Sequence, residues 1–129
     1  MNDRLKFRVW DTSKNKYSVE DWLPMIDEQG DLCFRNTDDV VYYPPTDQFI
    51  IEQCTGLKDK NGNLIYEGDV VWDGDYTWQI KWNKAFARWV LYSPLGSNED
   101  GEEELTDTDA ECLKIIGNIH EQAEQKDVK

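Results

Sequence analysis

In "YTWQIKW", residues 76–82, Tyr76, Trp78, Ile80 and Trp82 recur at every second position, with Thr77, Gln79 and Lys81 between them. A side-chain repeat of two belongs to a strand with one face buried and one face wet; a helix repeats at 3.6 and would scatter these residues around its axis. The same repeat runs through "RLKFRVW", where Leu5, Phe7 and Val9 alternate with Arg4, Lys6 and Arg8. Shorter runs rich in strand formers follow: "LCFR", "VVYY" ended by Pro44-Pro45, "QFIIEQCT", "RWVLY" and "CLKIIGNI". Pro24, inside the less readable "SVEDWLPMIDEQGD", argues against a long helix there, and Glu28–Asp31 reads as a turn. Short strands at close spacing, with no convincing long helix, predict an all-β chain built as a small barrel or sandwich.

Composition agrees. The chain has 129 residues, a natural single-domain length, and six Trp, six Tyr and four Phe carry much of its apolar content. Such residues fit a pleated, half-buried surface. No stretch approaches the roughly 20 apolar residues of a membrane helix, and the N-terminus lacks the apolar run of a signal peptide. The expectation is a cytoplasmic protein with no membrane association.

The stretch "TGLKDKNGNLIYEGDVV", residues 55–71, carries three glycines and two lysines in a chain of net charge −13. A phosphate loop would end in Gly-Lys-Ser/Thr ahead of a helix, or show G-x-G-x-x-G after a strand. Neither is present. Asn61-Gly62 between two β-like runs is instead a hairpin signal, because both residue types tolerate positive φ. The glycines therefore read as architecture.

Chemistry is sparse. Cys33, Cys54 and Cys112 are far apart and form no C-x-x-C pair, so they read as reduced thiols packed in strands rather than as a zinc site with His120. His120 is the single histidine; it follows a strand and has no sequence-evident catalytic partner. No nucleophile-elbow or H-E-x-x-H signature occurs, so no catalytic, cofactor or metal residues are assigned and the protein is read as a non-enzyme. "DTDAE" places Asp107, Asp109 and Glu111 like the start of a calcium loop. Cys112 stands where that loop needs glycine, and Asn118 where it needs glutamate. The segment reads as a solvated loop extended by its own repulsion.

Three regions bear on partners. "KWNKAFARW" interleaves Lys81, Lys84 and Arg88 with Trp82, Phe86 and Trp89, a pattern that suits stacked single-stranded nucleic acid. A pI of about 4.3 repels phosphates, and the alternation turns Trp82 to the core, so direct nucleic-acid binding is disfavoured. Residues 1–16 are net basic and residues 99–111 wholly acidic, so the two regions either face each other or attract copies and other proteins.

Taken together, "KFRVWD", "CTGLKDKNGNLIYEGDVV" and "IIGNIHE", in that order, resemble the YopX family of small proteins encoded mainly by bacteriophages and prophages. The resemblance implies an SH3-type β-barrel. Gly68–Val71 would open a barrel strand, the 76–92 hairpin would continue it, and Ile115–Ile119 would close it, with Gly117 at a bend. It implies no activity and no site residues. His120 departs from the Tyr common in the family, and the acidic insert is longer than expected.

The resulting expectation is one β domain over 1–120, with a barrel core at about 56–120, N-terminal strands at 4–54 packed on it, and a polar tail at 121–129. It would be a phage-derived, non-enzymatic protein that works through protein contacts, with itself or an unknown partner. The alternative is a nucleic-acid-associated protein or a DNA-mimicking regulator of a host or phage protein, its acidic surface acting as a decoy for a nucleic-acid site.

Overall fold

The computed structural model describes residues 5–17, 22–45, 47–93 and 102–121. The expected polar tail thus lies almost wholly outside the described residues, as do Arg4, Pro94 and the first part of the acidic insert. Strand dominates the described chain, as the alternation predicts, and its one complete helix is the single turn 107–110. Main-chain contacts divide the chain into two compact units, residues 7–52 and residues 1–6 with 53–129.

In the first unit, β1 (Phe7–Asp11) pairs with β2 (Lys16–Tyr17) and lies beside the start of β6 (Phe49–Lys58). A separate antiparallel sheet has the order β3 (Leu23–Ile26), β4 (Leu32–Arg35), β5 (Val41–Tyr42). Pro24 is thus a strand residue, tolerated because β3 is an edge. The polar face expected of "RLKFRVW" is not a wet face throughout. Arg8 Nε donates to Glu52 Oε1 at 2.8 Å, and Glu52 is only 2% exposed. The Tyr17 hydroxyl donates to the same oxygen at 2.9 Å, and the Arg8 guanidinium lies 4.4 Å from the Tyr17 ring centre. Leu5, expected on the apolar face, precedes the strand and is exposed.

In the second unit, the end of β6 forms a hairpin with β7 (Leu64–Tyr66). β8 (Asp69–Trp72), β9 (Thr77–Asn83) and β10 (Arg88–Tyr92) form a meander, flanked by β11 (Glu102–Glu104) on β10 and β12 (Lys114–Asn118) on β8. This five-stranded sheet curls as a half-barrel of the SH3 type, and β12 takes the place expected of the closing strand. Ile65, Val71, Ile80, Leu91, Leu105 and Leu113 form its buried core, with Trp78, Trp89 and Ile115 packed against it.

The central stretch is architecture, and its polar residues explain why. The hairpin loop has three residues, Lys60 to Gly62, closed by the Asp59 N–H donating to the Asn63 carbonyl at 2.8 Å. Only Gly62 in this loop has positive φ, +84°. The turn is therefore not the two-residue kind in which Asn and Gly share positive φ. The Asp59 carboxylate selects the alternative by accepting the N–H groups of Asn61 and Asn63, both at 2.9 Å. Upstream, Gly56 at φ +84° marks the place where β6 carries extra residues against β7. There the Thr55 hydroxyl donates to the Ile65 carbonyl and accepts from the Leu57 N–H, so the interrupted ladder leaves no orphan at that point.

The acidic insert differs from the expected extended loop. Glu102–Glu104 form an edge strand on β10, and residues 107–110 form a helical turn, α1. Thr106 caps that turn by accepting the Asp109 N–H at 3.2 Å, while Leu105, Ala110 and Leu113 enter the core. Apolar residues spaced between the acids tie the segment down, and the carboxylates stay on the wet side. Three successive glutamates on an edge strand also oppose pairing with another sheet edge.

Candidate functional site

The first unit holds a semi-open cavity of about 400 Å3, within the range of small-ligand and peptide clefts. Its walls are apolar: Trp22, Phe34, Val41, Tyr42 and Phe49. Strand alternation places them. Phe34 and Tyr42 sit opposite each other across β4 and β5, so their side chains share one face. The Phe34 and Phe49 rings pack at 4.9 Å between centres, and Trp22 and Tyr42 at 6.0 Å.

The rim is polar. Asp11, Lys14, Lys16 and Gln48 line it. Asp11 Oδ1 accepts the Ser13 hydroxyl at 2.7 Å, the Ser13 N–H at 2.9 Å and the Lys14 N–H at 3.3 Å. Burial pushes the Asp11 carboxyl up, yet these hydrogen bonds and one from Gln48 outweigh it and hold the group below its ordinary value of 3.8. The buried carboxylate therefore stays charged and fixes the 12–15 turn. Thr12 ties the same turn to the approach of β6, its N–H and hydroxyl both donating to the Gln48 carbonyl at 2.9 and 2.8 Å. Lys14 is thereby held at the cavity mouth. No carboxylate among the described residues pairs with its ammonium group.

The residues singled out by sequence do not converge. Cys33 is buried in β4, Cys54 is buried in β6, and Cys112 is exposed on the turn after α1, where a packed strand thiol was expected. His120 is half-buried just past β12, its main-chain N–H donating to Asn118 Oδ1 at 2.9 Å. Among the described residues no group of three His, Cys, Asp or Glu side chains stands close enough to hold a metal ion. Asp107 and Asp109 are exposed on the capped turn of α1.

The basic-aromatic hairpin corrects one expectation. Trp82 does not enter the core; it is 46% exposed and packs edge-on against Trp89 at 5.0 Å. It lies at the outer end of β9, where the sheet has run past its core. Phe86 is exposed at the turn, with Arg88 lying 5.0 Å from its ring centre. Glu102–Glu104 run beside β10, so carboxylates border this patch.

Sequence reasoning missed the cavity because its walls come from four separate short runs. The available signal was the density of aromatics around "VVYY" and "QFIIEQ" without a matching amphipathic partner.

The protein is thus a small all-β chain in which an SH3-type half-barrel accompanies a second β unit bearing an aromatic-lined groove. Residues 6–125 match the YopX protein family, and the chain belongs to that family. Its fold is similar to that of protein EF1440 from Enterococcus faecalis, with 23% identity, a TM-score of 0.60, and coverage of 93% of this chain and 96% of that one. It is also similar to the protein YopX from Bacillus subtilis, with 16% identity, a TM-score of 0.57, and coverage of 92% and 94%. No curated protein matches the chain. No helix among the described residues is long and apolar enough to cross a membrane.

Proposed function

We propose that the chain is a non-enzymatic protein-recognition module of the bacterial cytoplasm, of phage or prophage origin, which holds a segment of a partner protein in the groove of its first unit. The observation that carries this reading is the exposure of apolar side chains around that groove. Val40, Val41, Tyr42 and Tyr43 all stand in solvent beside an aromatic-walled cavity. Contiguous exposed apolar surface rimmed by polar groups marks interaction sites, and aromatic residues anchor them. Capture from bacterial lysate with the wild-type chain and with Tyr42→Asp tests it. A specific protein retained by the former and lost by the latter is expected. Retention of the same proteins by both chains, or of none by either, would sink the reading.

A second reading rests on the exposure of Trp82 and Phe86 beside Arg88, a hairpin that could stack unpaired bases. The acidic strand alongside and the net charge of −13 oppose it. A titration of labelled oligothymidine at low ionic strength decides; a flat response removes this reading.

A further inference from the structure

We infer that Asn61 is a self-modifying site: its side-chain amide closes on the Gly62 nitrogen and is converted to aspartate or isoaspartate, at a rate governed by the turn that Asp59 holds shut. The inference is independent of the groove and of any partner.

The reacting groups are adjacent and accessible. The asparagine amide is among the chemically labile side chains. Asn61 alone among the asparagines of the sequence precedes a glycine, so no side chain shields the nitrogen that follows it. Both residues are exposed, and a Cβ at Gly62 would meet nothing within 4 Å. The Asn61 side chain has no hydrogen-bond partner among the described residues. By contrast, Asn36 and Asn118 each accept two main-chain N–H groups, and Asn83 donates to Glu102 while accepting the Phe86 N–H. In the reaction the Gly62 nitrogen attacks Asn61 Cγ. The N–Cγ bond forms, the Cγ–Nδ2 bond breaks, and the proton of the attacking nitrogen leaves with Nδ2 as ammonia. Water then opens the cyclic imide at either carbonyl, giving aspartate or isoaspartate.

The turn is the brake. The Gly62 N–H donates to the Asp59 carbonyl at 3.0 Å, which holds the proton on the nitrogen that must lose it. The Asp59 carboxylate accepts the N–H groups of Asn61 and Asn63, both at 2.9 Å, and so fixes the main chain on either side of Gly62. Its other oxygen accepts the Ile115 N–H at 3.1 Å, which ties the loop to β12 as well. Attack therefore proceeds from the open turn, whose population these hydrogen bonds set.

The change is one-way. Isoaspartate adds a main-chain carbon to a three-residue loop, and either product places a second carboxylate beside Asp59. Both loosen the hairpin's tie to β12, so the second unit weakens as the chain ages.

The test follows conversion in the wild-type chain by peptide mapping at neutral pH. The unfolded reference is acetyl-Lys-Asp-Lys-Asn-Gly-Asn-Leu-amide, which matches residues 58–64. Hydrogen exchange of the Gly62 amide is measured in the same buffer. Conversion is expected first at Asn61 and at least about tenfold more slowly than in the peptide, the factor that one hydrogen bond to a charged group contributes to the closed state. That factor should match the exchange protection of the Gly62 amide within about threefold, because both processes need the same opening. Asp59→Ala should move the rate towards that of the peptide. The separated aspartate and isoaspartate forms should unfold at lower urea and exchange faster at the Ile115 amide. Conversion first at another asparagine overturns the inference. So does a wild-type rate equal to that of the peptide, or free exchange at Gly62 without conversion. The comparison of conversion with exchange decides the matter on the wild-type chain even if Asp59→Ala fails to fold.

Discussion

Asp59 Oδ2 accepts the main-chain N–H of Ile115 at 3.1 Å, across 56 positions of sequence. The other carboxylate oxygen closes the Lys60–Gly62 turn, so one side chain shapes a hairpin and fastens it to the strand β12. The contact is reinforced by the Lys60 N–H, which donates to the Leu113 carbonyl at 2.9 Å.

Asp59 is 4% exposed, and its removal takes the acceptor from three main-chain N–H groups, of which those of Asn61 and Asn63 lie in an exposed turn and that of Ile115 is half-buried. Asp59→Ala should destabilise the fold by roughly 1–3 kcal/mol, the range of a hydrogen bond to a charged group, because water can reach the turn donors in its place. Urea unfolding measures it. A loss under about 0.5 kcal/mol would show that the carboxylate is not the clasp described.

The same group sets an acid response. Burial raises the Asp59 carboxyl, but hydrogen bonds from the N–H groups of Asn63, Ile115 and Asn61 prevail and hold it below 3.8. Asp11 and Asp73 are lowered for the same kind of reason. A carboxyl depressed in the folded state contributes stability that is complete above its unfolded value and is lost as pH falls through the folded one. Stability should therefore fall steeply with acidification from about pH 4 downward. Asp59→Asn should flatten that slope, and an unchanged slope in denaturation curves from pH 6 to pH 2 would refute the assignment.

At the alkaline end, the Tyr43 hydroxyl donates to Asp27 Oδ2 at 2.9 Å, and that hydrogen bond pushes its phenol up to about 12. A folded value above the unfolded one favours folding below about pH 10, and the effect fades as pH rises through about 12. Ultraviolet titration of tyrosinate should show a late-ionising component that belongs to Tyr43. Asp27→Asn should bring it back to the ordinary range, and Tyr43→Phe should delete it.

Buried Glu52 and half-buried Arg8 form an ion pair, and the Tyr17 hydroxyl donates to the same carboxylate oxygen. Arg8→Met alone leaves a buried carboxylate short of its cation and should cost roughly 2–4 kcal/mol. Arg8→Met combined with Glu52→Met should recover much of that loss, because the pair's desolvation penalty disappears along with its attraction. Additive losses in chemical denaturation would contradict this.

Gly62 tests the turn. At φ +84° a Cβ meets no neighbour within 4 Å, so Gly62→Ala should cost only the conformational strain, about 1–2 kcal/mol. A cost much above that would indicate a contact that the geometry lacks.

Much of the fold was legible because strand facing follows directly from a repeat of two. Ile80 in β9 is a core residue, as its alternation indicated, and the turns at 28–30 and 60–62 stand where polar and glycine residues cluster. The alternation failed at its ends, where Leu5 and Trp82 continue the pattern beyond the buried length of the sheet. It also gave no warning of β2 or β11, whose two and three residues are too short to show a period.

What the linear order of residues determined is local: which side chains share a face, where turns are cheap, and that no catalytic or metal motif is spelled out. What only the tertiary structure decided is convergence. Arg8 became the ion-pair partner of buried Glu52, Asp59 a clasp, the acidic insert a strand with a capped turn, and Trp22, Phe34, Tyr42 and Phe49 a groove under two lysines. Each of these depends on which distant segments pack together, and that choice reflects burial and hydrogen-bond satisfaction summed over the whole chain, which no short window of sequence contains.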